Sequence, residues 1–329
     1  MSWNYAGDSR YGIHSIDHFA LEVPSLAQAS AFFSSFGLEV RRVADHLELR
    51  AAGQQHAWAR IHEGPYRRLA YLSLSCYAEE FAGLSAQLDA EGARAATALP
   101  YTDGRGRWFL DPDGNLVQLK VGPKTTPSGI STREDAARRG GQRAAQPRSQ
   151  AHRVQPRRLS HVVLFTSNVD RSLRFYQAAL GLRLSDRSGN AVAFTHARHG
   201  SDHHLIAFVS GGSKGWHHSA WDVASVNEVG AGAEQMRKAG YAEGWGTGRH
   251  VLGSNYFHYV RDPWGSFAEY SAEMDFVPTG TQWSAADHPP EDSLYLWGPD
   301  LPADFVRNTE FVPSDEDTDS TTPMEKDAR

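Results

Sequence analysis

The stretch LSHVVLFTSNVDRSLRFYQAALGLRL, Leu159–Leu184, has a counterpart earlier in the chain, IDHFALEVPSLAQASAFFSSFGLEV, Ile16–Val40. In both, a short apolar strand carries a histidine (His161; His18) and leads through a polar start signal (Asn168 to Asp170; Ser25) into a helix. Apolar residues recur at roughly i, i+3 and i+4 in each helix, and a glycine (Gly181; Gly37) stops it before the next strand. An Asp-Pro-x-Gly turn recurs as well, as DPDGNLVQ at 111–118 and DPWGSFAE at 262–269. The repeat distance is about 145 to 150 residues, so the chain is a duplication whose halves can be compared position by position. A second helix-like stretch follows the middle strand of each half, Ala78–Gly92 and Val223–Gly240. The predicted fold is α+β, with two domains of paired βαβββ modules, each forming a partly open, cup-like barrel with helices outside.

At 329 residues, with 40% hydrophobic and 22% charged residues, the chain can bury a core in each half. The expected boundaries are 1–122 for the first domain, 123–156 for a linker, 157–312 for the second domain and 313–329 for a tail. The linker region Gly122–Arg158 carries about nine basic and two acidic side chains without apolar periodicity, and the tail is acidic. A net charge of −6 argues against a nucleic-acid surface spread over the molecule. Cys76 is the sole cysteine, no apolar run has membrane-spanning length, and the N-terminal residues lack a secretory pattern. A reducing cytoplasm is the expected location, with no membrane or nucleic-acid partner.

Three metal-ligand types occupy matching strand positions in the second half: His161, one of His217 and His218, and Glu269. Two imidazoles and a carboxylate leave neighbouring coordination positions open, as in non-haem Fe(II) sites that bind substrate and O2 side by side. Alternation puts His218, Ala220 and Asp222 on one strand face and His217 on the other, without saying which face is inside. The first half keeps His18, but its middle strand reads Ala70, Tyr71, Leu72 and its carboxylate position is Gln118. Only the second half is expected to hold metal.

Gly248, Arg249 and His250, then Tyr259 nine positions after the histidine, then YVRDPWGSFAE ending at Glu269, resemble the signature of the type I extradiol ring-cleavage dioxygenases of the vicinal oxygen chelate superfamily. His258, where the family is usually aliphatic, is the one departure and is read as structural. The resemblance implies His161, His218 and Glu269 as ligands of Fe(II), or of Mn(II). It further implies His250 beside the bound substrate or oxygen species, Tyr259 beside the metal-bound catecholate oxygen, and an acid–base histidine in DHHLIAF, Asp202–Phe208. There His204 fits the register of the apolar run and His203 fits the spacing to His218. The implied reaction opens a catechol ring next to its hydroxyls with O2.

Val163, Ala207, Leu252 and Gly253 are expected to line the substrate pocket. Phe276, Trp283, Tyr295 and Trp297 could close the cup or simply pack the terminal segment, and Trp216, Trp221, Trp245 and Trp264 are assigned to packing. The resemblance also implies a homo-oligomer. Two rival readings are a glyoxalase-like isomerase or thiol transferase of the same superfamily, which would not need the His250–Tyr259 pair, and a non-catalytic binding or resistance protein, which would not need the ligands.

Overall fold

The computed structural model describes residues 9–129, 141 and 145–310. The first half contains β1 (Ser15–Val23), α1 (Leu26–Phe36), β2 (Glu39–Val43), β3 (His46–Arg50), β4 (Ala59–Glu63), β5 (Arg68–Cys76), α2 (Phe81–Ala90), β6 (Arg94–Ala95), β7 (Arg107–Leu110) and β8 (Leu116–Val121). Their order in one sheet is β2-β3-β4-β1-β5-β8-β7-β6. β4 returns parallel to β1, β8 returns parallel to β5, and the two modules join through the antiparallel β1/β5 pair.

The second half repeats this plan with β9 (Arg158–Thr166), α3 (Val169–Leu180), β10 (Leu182–Ser188), β11 (Val192–Ala197), β12 (Ser201–Asp202), β13 (Ile206–Ser210), β14 (Gly215–Asp222), α4 (Val226–Lys238), β15 (Gly244–His250), β16 (Tyr256–Arg261) and β17 (Phe267–Ala272). Short strands β18 (Phe276–Val277), β19 (Ala286–Asp287) and β20 (Tyr295–Trp297) follow. The ten-stranded order is β19-β10-β11-β13-β9-β14-β17-β16-β15-β20, while β12 pairs with β18. The expected α+β architecture of paired βαβββ modules is present, and the C-terminal segment adds a strand to each edge of the second sheet.

Local chemistry explains the equivalent helices. Ser25 and Asn168 adopt extended backbone and accept from the amides of Gln28 and Arg171, satisfying donors the first helical turn leaves open. Gly37 and Gly181 end α1 and α3 in the left-handed region, which costs glycine little. In α3, Val169, Leu173, Tyr176 and Leu180 bury one stripe while Arg171 and Arg174 leave the other face polar.

A single hydrophobic cluster runs through both halves. Phe36 stacks on Tyr270 at 3.9 Å, and the Tyr270 hydroxyl donates to the Phe36 carbonyl at 2.7 Å. Such an aromatic pair contributes about 1 kcal/mol beyond the area it buries. Asp113, in the turn of the first half, accepts from the Ser167 amide and the Ser172 hydroxyl at the start of α3 and pairs with Arg171 at 2.7 Å. Within 123–156, Thr125, Thr126 and Val154 bond to this body, while most of the other described residues there are exposed. Val154 is buried, with its amide and carbonyl bonded to the Gln235 side chain, because an apolar residue beside a glutamine amide can be packed and satisfied together. The tail expected at 313–329 lies outside the described residues, as do 130–140 and 142–144 of the linker. Among the described residues no helix is long and apolar enough to cross a membrane.

Candidate metal centre and active site

Strand register builds the centre. Across β9, β14, β17, β16 and β15 the residues His161, Ala220, Glu269, Tyr259 and Trp245 stand in one row. His218 lies two residues from Ala220 on the same strand, and the small alanine between the larger groups leaves room for their tips to converge. His161 Nε2 and His218 Nε2 are each 3.3 Å from Glu269 Oε2 and 3.4 Å from each other. A point about 2.1 Å from all three, an ordinary length for a bond from metal to nitrogen or oxygen, lies just off their plane. Glu269 is fully buried, and its Oε2 has no hydrogen-bond partner despite the two nearby nitrogens. A buried carboxylate oxygen in that state is costly without a cation, so the donor set fits a divalent metal. Burial alone would raise the Glu269 carboxyl, but the two imidazoles override it and hold the group well below the usual carboxylate range.

Each of these residues is held from behind. Asn255, fully buried, donates from Nδ2 to Glu269 Oε1 at 3.1 Å and to Ser271 at 2.9 Å. Ser160 Oγ lies 3.2 Å from His161 Nδ1 and reaches Asp202 at 3.3 Å. His217 Nδ1 lies 2.6 Å from His218 Nδ1. Such outer partners orient ligands and tune their basicity. Sequence reading missed Asn255 and Ser160, since an asparagine and a serine carry no spacing signal of their own, and weighed His217 only as the alternative ligand.

Strand alternation also misplaces His217. β14 carries a bulge between Trp216 and His218, and the extra residue lets both histidines line the same cavity. Of the two, only His218 brings its Nε2 to the Glu269 and His161 atoms.

The cavity in front of the centre has about 750 Å³, counting the space at its mouth. His250 Nε2 is 3.0 Å from the Tyr259 hydroxyl, while its Nδ1 faces the Leu294 carbonyl at 2.7 Å. Burial lowers the His250 pKa, so the neutral ring donates from Nδ1 to Leu294 and leaves Nε2 as acceptor. Burial and the Glu269 charge raise the Tyr259 phenol well above its ordinary value, keeping its proton available. His204 stands 4.0 Å from the His161 ring, with Phe194 at 4.8 Å on its other side. Burial, aided by the surrounding histidines, lowers its pKa well below 6.5. His203 turns elsewhere, with Nε2 on Asp186 at 2.8 Å and its ring against Trp283. His258 does not line the cavity, and its pKa falls to about 4 through burial.

Of the residues expected in the pocket, Val163 and Leu252 line it and Ala207 and Gly253 do not. Ala207 sits in register between Phe194 and Val163, whose larger side chains form the wall. Gly253 backs the histidine pair, since a Cβ there would meet His203 Nδ1 at 3.3 Å. Trp245, assigned to packing, is a wall residue stacked on Tyr259 at 5.5 Å. Closure comes from Ser293, Leu294, Phe305 and Val306, not from the aromatic residues Phe276, Trp283, Tyr295 and Trp297. Those closing residues lie beyond the repeated modules, where no signature marks them.

Comparison with known proteins bears on the family and the fold. The model of the Glyoxalase/Bleomycin resistance protein/Dioxygenase superfamily matches residues 15–119 and 158–270. Metapyrocatechase 2 of Cupriavidus necator is 61% identical over 305 residues, which are 93% of this chain and 95% of that protein. Among solved structures, the Mn(II)-bound glyoxalase from Novosphingobium aromaticivorans aligns with a TM-score of 0.71 at 25% identity, covering 93% of this chain and 99% of that one. The 2,2',3-trihydroxybiphenyl 1,2-dioxygenase from Sphingomonas wittichii RW1 shares the fold with a TM-score of 0.68 at 20% identity, covering 88% and 100%.

Proposed function

We infer that this chain, which belongs to the Glyoxalase/Bleomycin resistance protein/Dioxygenase superfamily, is an extradiol dioxygenase that opens the ring of a catechol next to its hydroxyls and adds both atoms of O2. The observation that carries the reading is the orphaned Glu269 oxygen facing two imidazole nitrogens, with His204, His250 and Tyr259 around the same cavity. We assign His161, His218 and Glu269 as ligands of Fe(II), with Mn(II) as the other ion this donor set accepts. When bound, the metal supplies chelation of both catechol oxygens and a path for electron density from ring to O2.

The chain supplies the rest. Neutral His204 takes a proton from a catechol hydroxyl at its free ring nitrogen and returns it as the ring opens. The Tyr259 hydroxyl donates its one proton to His250 Nε2 in the free protein and turns it to the developing charge on the neighbouring catechol oxygen when substrate binds, while Leu294 holds the His250 ring in place. His203, paired with Asp186, supports His204 from behind. We assign catalysis to residues 157–312, a metal-free supporting role to 1–122 and connection to 123–156, in a cytoplasmic homo-oligomer.

The wall also limits the substrate. Val163, Val209, Phe194, Leu294, Phe305 and Val306 line it, and among the described residues no Lys or Arg side chain does. A carboxylate on the ring would lose its water there without a Lys or Arg partner among the described residues, so the substituents are apolar, alkyl or aryl. A glyoxalase-like isomerase would leave the His250–Tyr259 pair without a task.

The test is anaerobic loading with Fe(II), followed by O2 uptake and visible absorbance with catechol, 3-methylcatechol, a phenyl-substituted catechol and a carboxymethyl-substituted catechol. Stoichiometric O2 consumption with a yellow ring-opened product on the first three is expected. Bound iron without O2 consumption on any diol would overturn the activity, and equal turnover of the carboxylated ring would overturn the substrate class.

A further inference from the structure

The doublet His217–His218 holds a relation that the ligand assignment leaves unused. The bulge in β14 turns both rings toward one cavity, with their Nδ1 atoms 2.6 Å apart. Two imidazole nitrogens at that distance share one proton, since two lone pairs would repel and two protons would collide. His218 Nε2 can serve as a ligand only unprotonated, which places the proton of that ring on Nδ1. That N–H then donates to His217 Nδ1, and the remaining proton of His217 lies on Nε2. The side chain of Phe305, in the segment that closes the cavity, lies against the other side of the His217 ring.

The surroundings of His217 are otherwise apolar, with the rings of Phe165 at 5.0 Å, Phe305 at 4.9 Å and Phe267 at 5.8 Å. An imidazole kept for packing alone would be a poor choice there, because a phenyl ring would fill similar space without buried polar atoms. The neighbours of the ring lie in different parts of the chain, one a ligand candidate on Nδ1 and the other the Phe305 side chain in the terminal segment that closes the cavity.

We propose that His217 is a positioning residue that fixes the tautomer and ring angle of His218 and ties that ligand to the cavity-closing segment through Phe305. The proposal rests on the ligand set assigned above. It makes the bulge functional, since regular alternation would point His217 to the opposite face of the sheet. It also gives the C-terminal segment a second task beside wall formation, because movement at Phe305 would loosen the partner of a ligand.

The decisive experiment uses the full chain loaded with Zn(II) and labelled with 15N in its imidazoles, read by long-range 15N–1H correlation. His218 is expected as the Nδ1–H tautomer with a metal-shifted Nε2, and His217 as the Nε2–H tautomer. A His217 in the Nδ1–H form would overturn the proposal. Absence of any metal-shifted imidazole nitrogen would instead overturn the ligand assignment, and this inference with it.

Two variants then separate positioning from packing, with Co(II) affinity and the Co(II) visible spectrum as readouts. His217→Phe fills the space without an acceptor and is expected to weaken Co(II) binding by about 10- to 100-fold. His217→Asn restores an acceptor near the Nδ1 position and is expected to recover most of that loss. Unchanged affinity and spectrum in His217→Phe, or equal losses in both variants, would overturn the proposal. The tautomer measurement uses the unaltered protein and decides the question even where a variant fails to fold.

Discussion

The two halves place the same strands in the same register and do different things with the result. In the first half the row is His18, Ser73, Gln118 and Trp108, with Tyr71 two residues from Ser73. In the second it is His161, Ala220, Glu269 and Tyr259, with His218 two residues from Ala220. Every polar tip named in the first row is answered locally. The Tyr71 hydroxyl lies 2.8 Å from His18 Nε2, Ser73 donates to Gln118 Oε1 at 2.7 Å, and Asp17 holds His18 Nδ1 at 2.6 Å. In the second row the Glu269 Oε2 has no such answer. The duplicated scaffold offers a candidate metal centre where an amide gives way to a carboxylate and a tyrosine to a histidine.

The largest expected effect comes from erasing that difference. Glu269→Gln gives the second row the amide of the first, and metal analysis after purification should find loss of bound metal together with loss of O2 uptake. Full metal retention would remove Glu269 from the ligand set. The pair His203–His204, of which His204 lines the cavity, comes next. His204→Asn should keep its metal and lower kcat by about 100-fold or more. His203→Asn should cost much less, because its ring faces Asp186 and not the cavity. The reverse ranking would exchange their roles.

How far the second half departs from the first was legible because the candidate ligand positions repeat. His18 and His161 open equivalent strands, and the Asp-Pro-x-Gly turns align Gln118 with Glu269. Register then carries each position into the site without further information. The bulge at His217 was not legible, since an inserted residue in a strand leaves the residue pattern unchanged and shows only in the pairing. The partners Asn255 and Ser160 are ordinary polar residues in sequence, and their meaning comes from which buried atom they meet. Phe305 and Leu294 reach the cavity from beyond the repeat, so the first half offers no counterpart to read them against.

Buried histidines give a smaller effect that both halves should share. Burial lowers His14 and His62 in the first half to about 4, and His196 in the second to about 3. The unfolded chain takes these protons near pH 6.5, whereas the folded chain refuses them until much lower pH. Their stabilisation is therefore complete above about pH 6.5 and is lost as pH falls toward 4. Thermal unfolding should show Tm decreasing through that window. His62→Gln should flatten the decrease, and an unchanged slope would contradict the buried neutral state of His62.

The smallest effect is a matched pair across the comparison. Tyr71→Phe removes the hydroxyl bound to His18 and should cost about 1 kcal/mol of stability, a few degrees in Tm, with kcat unchanged. Tyr259→Phe should leave metal in place and reduce kcat. A loss of turnover in Tyr71→Phe would mean that the first half contributes to the reaction.

The most direct test of a single metal centre in the second half is a crystal structure of the metal-loaded chain with anomalous scattering recorded at the absorption edge of the bound ion. The account predicts one peak per chain, bounded by His161 Nε2, His218 Nε2 and Glu269 Oε2, and none beside His18 and Tyr71. A peak in the first half, or a peak in the second that these three atoms do not ligate, would contradict it.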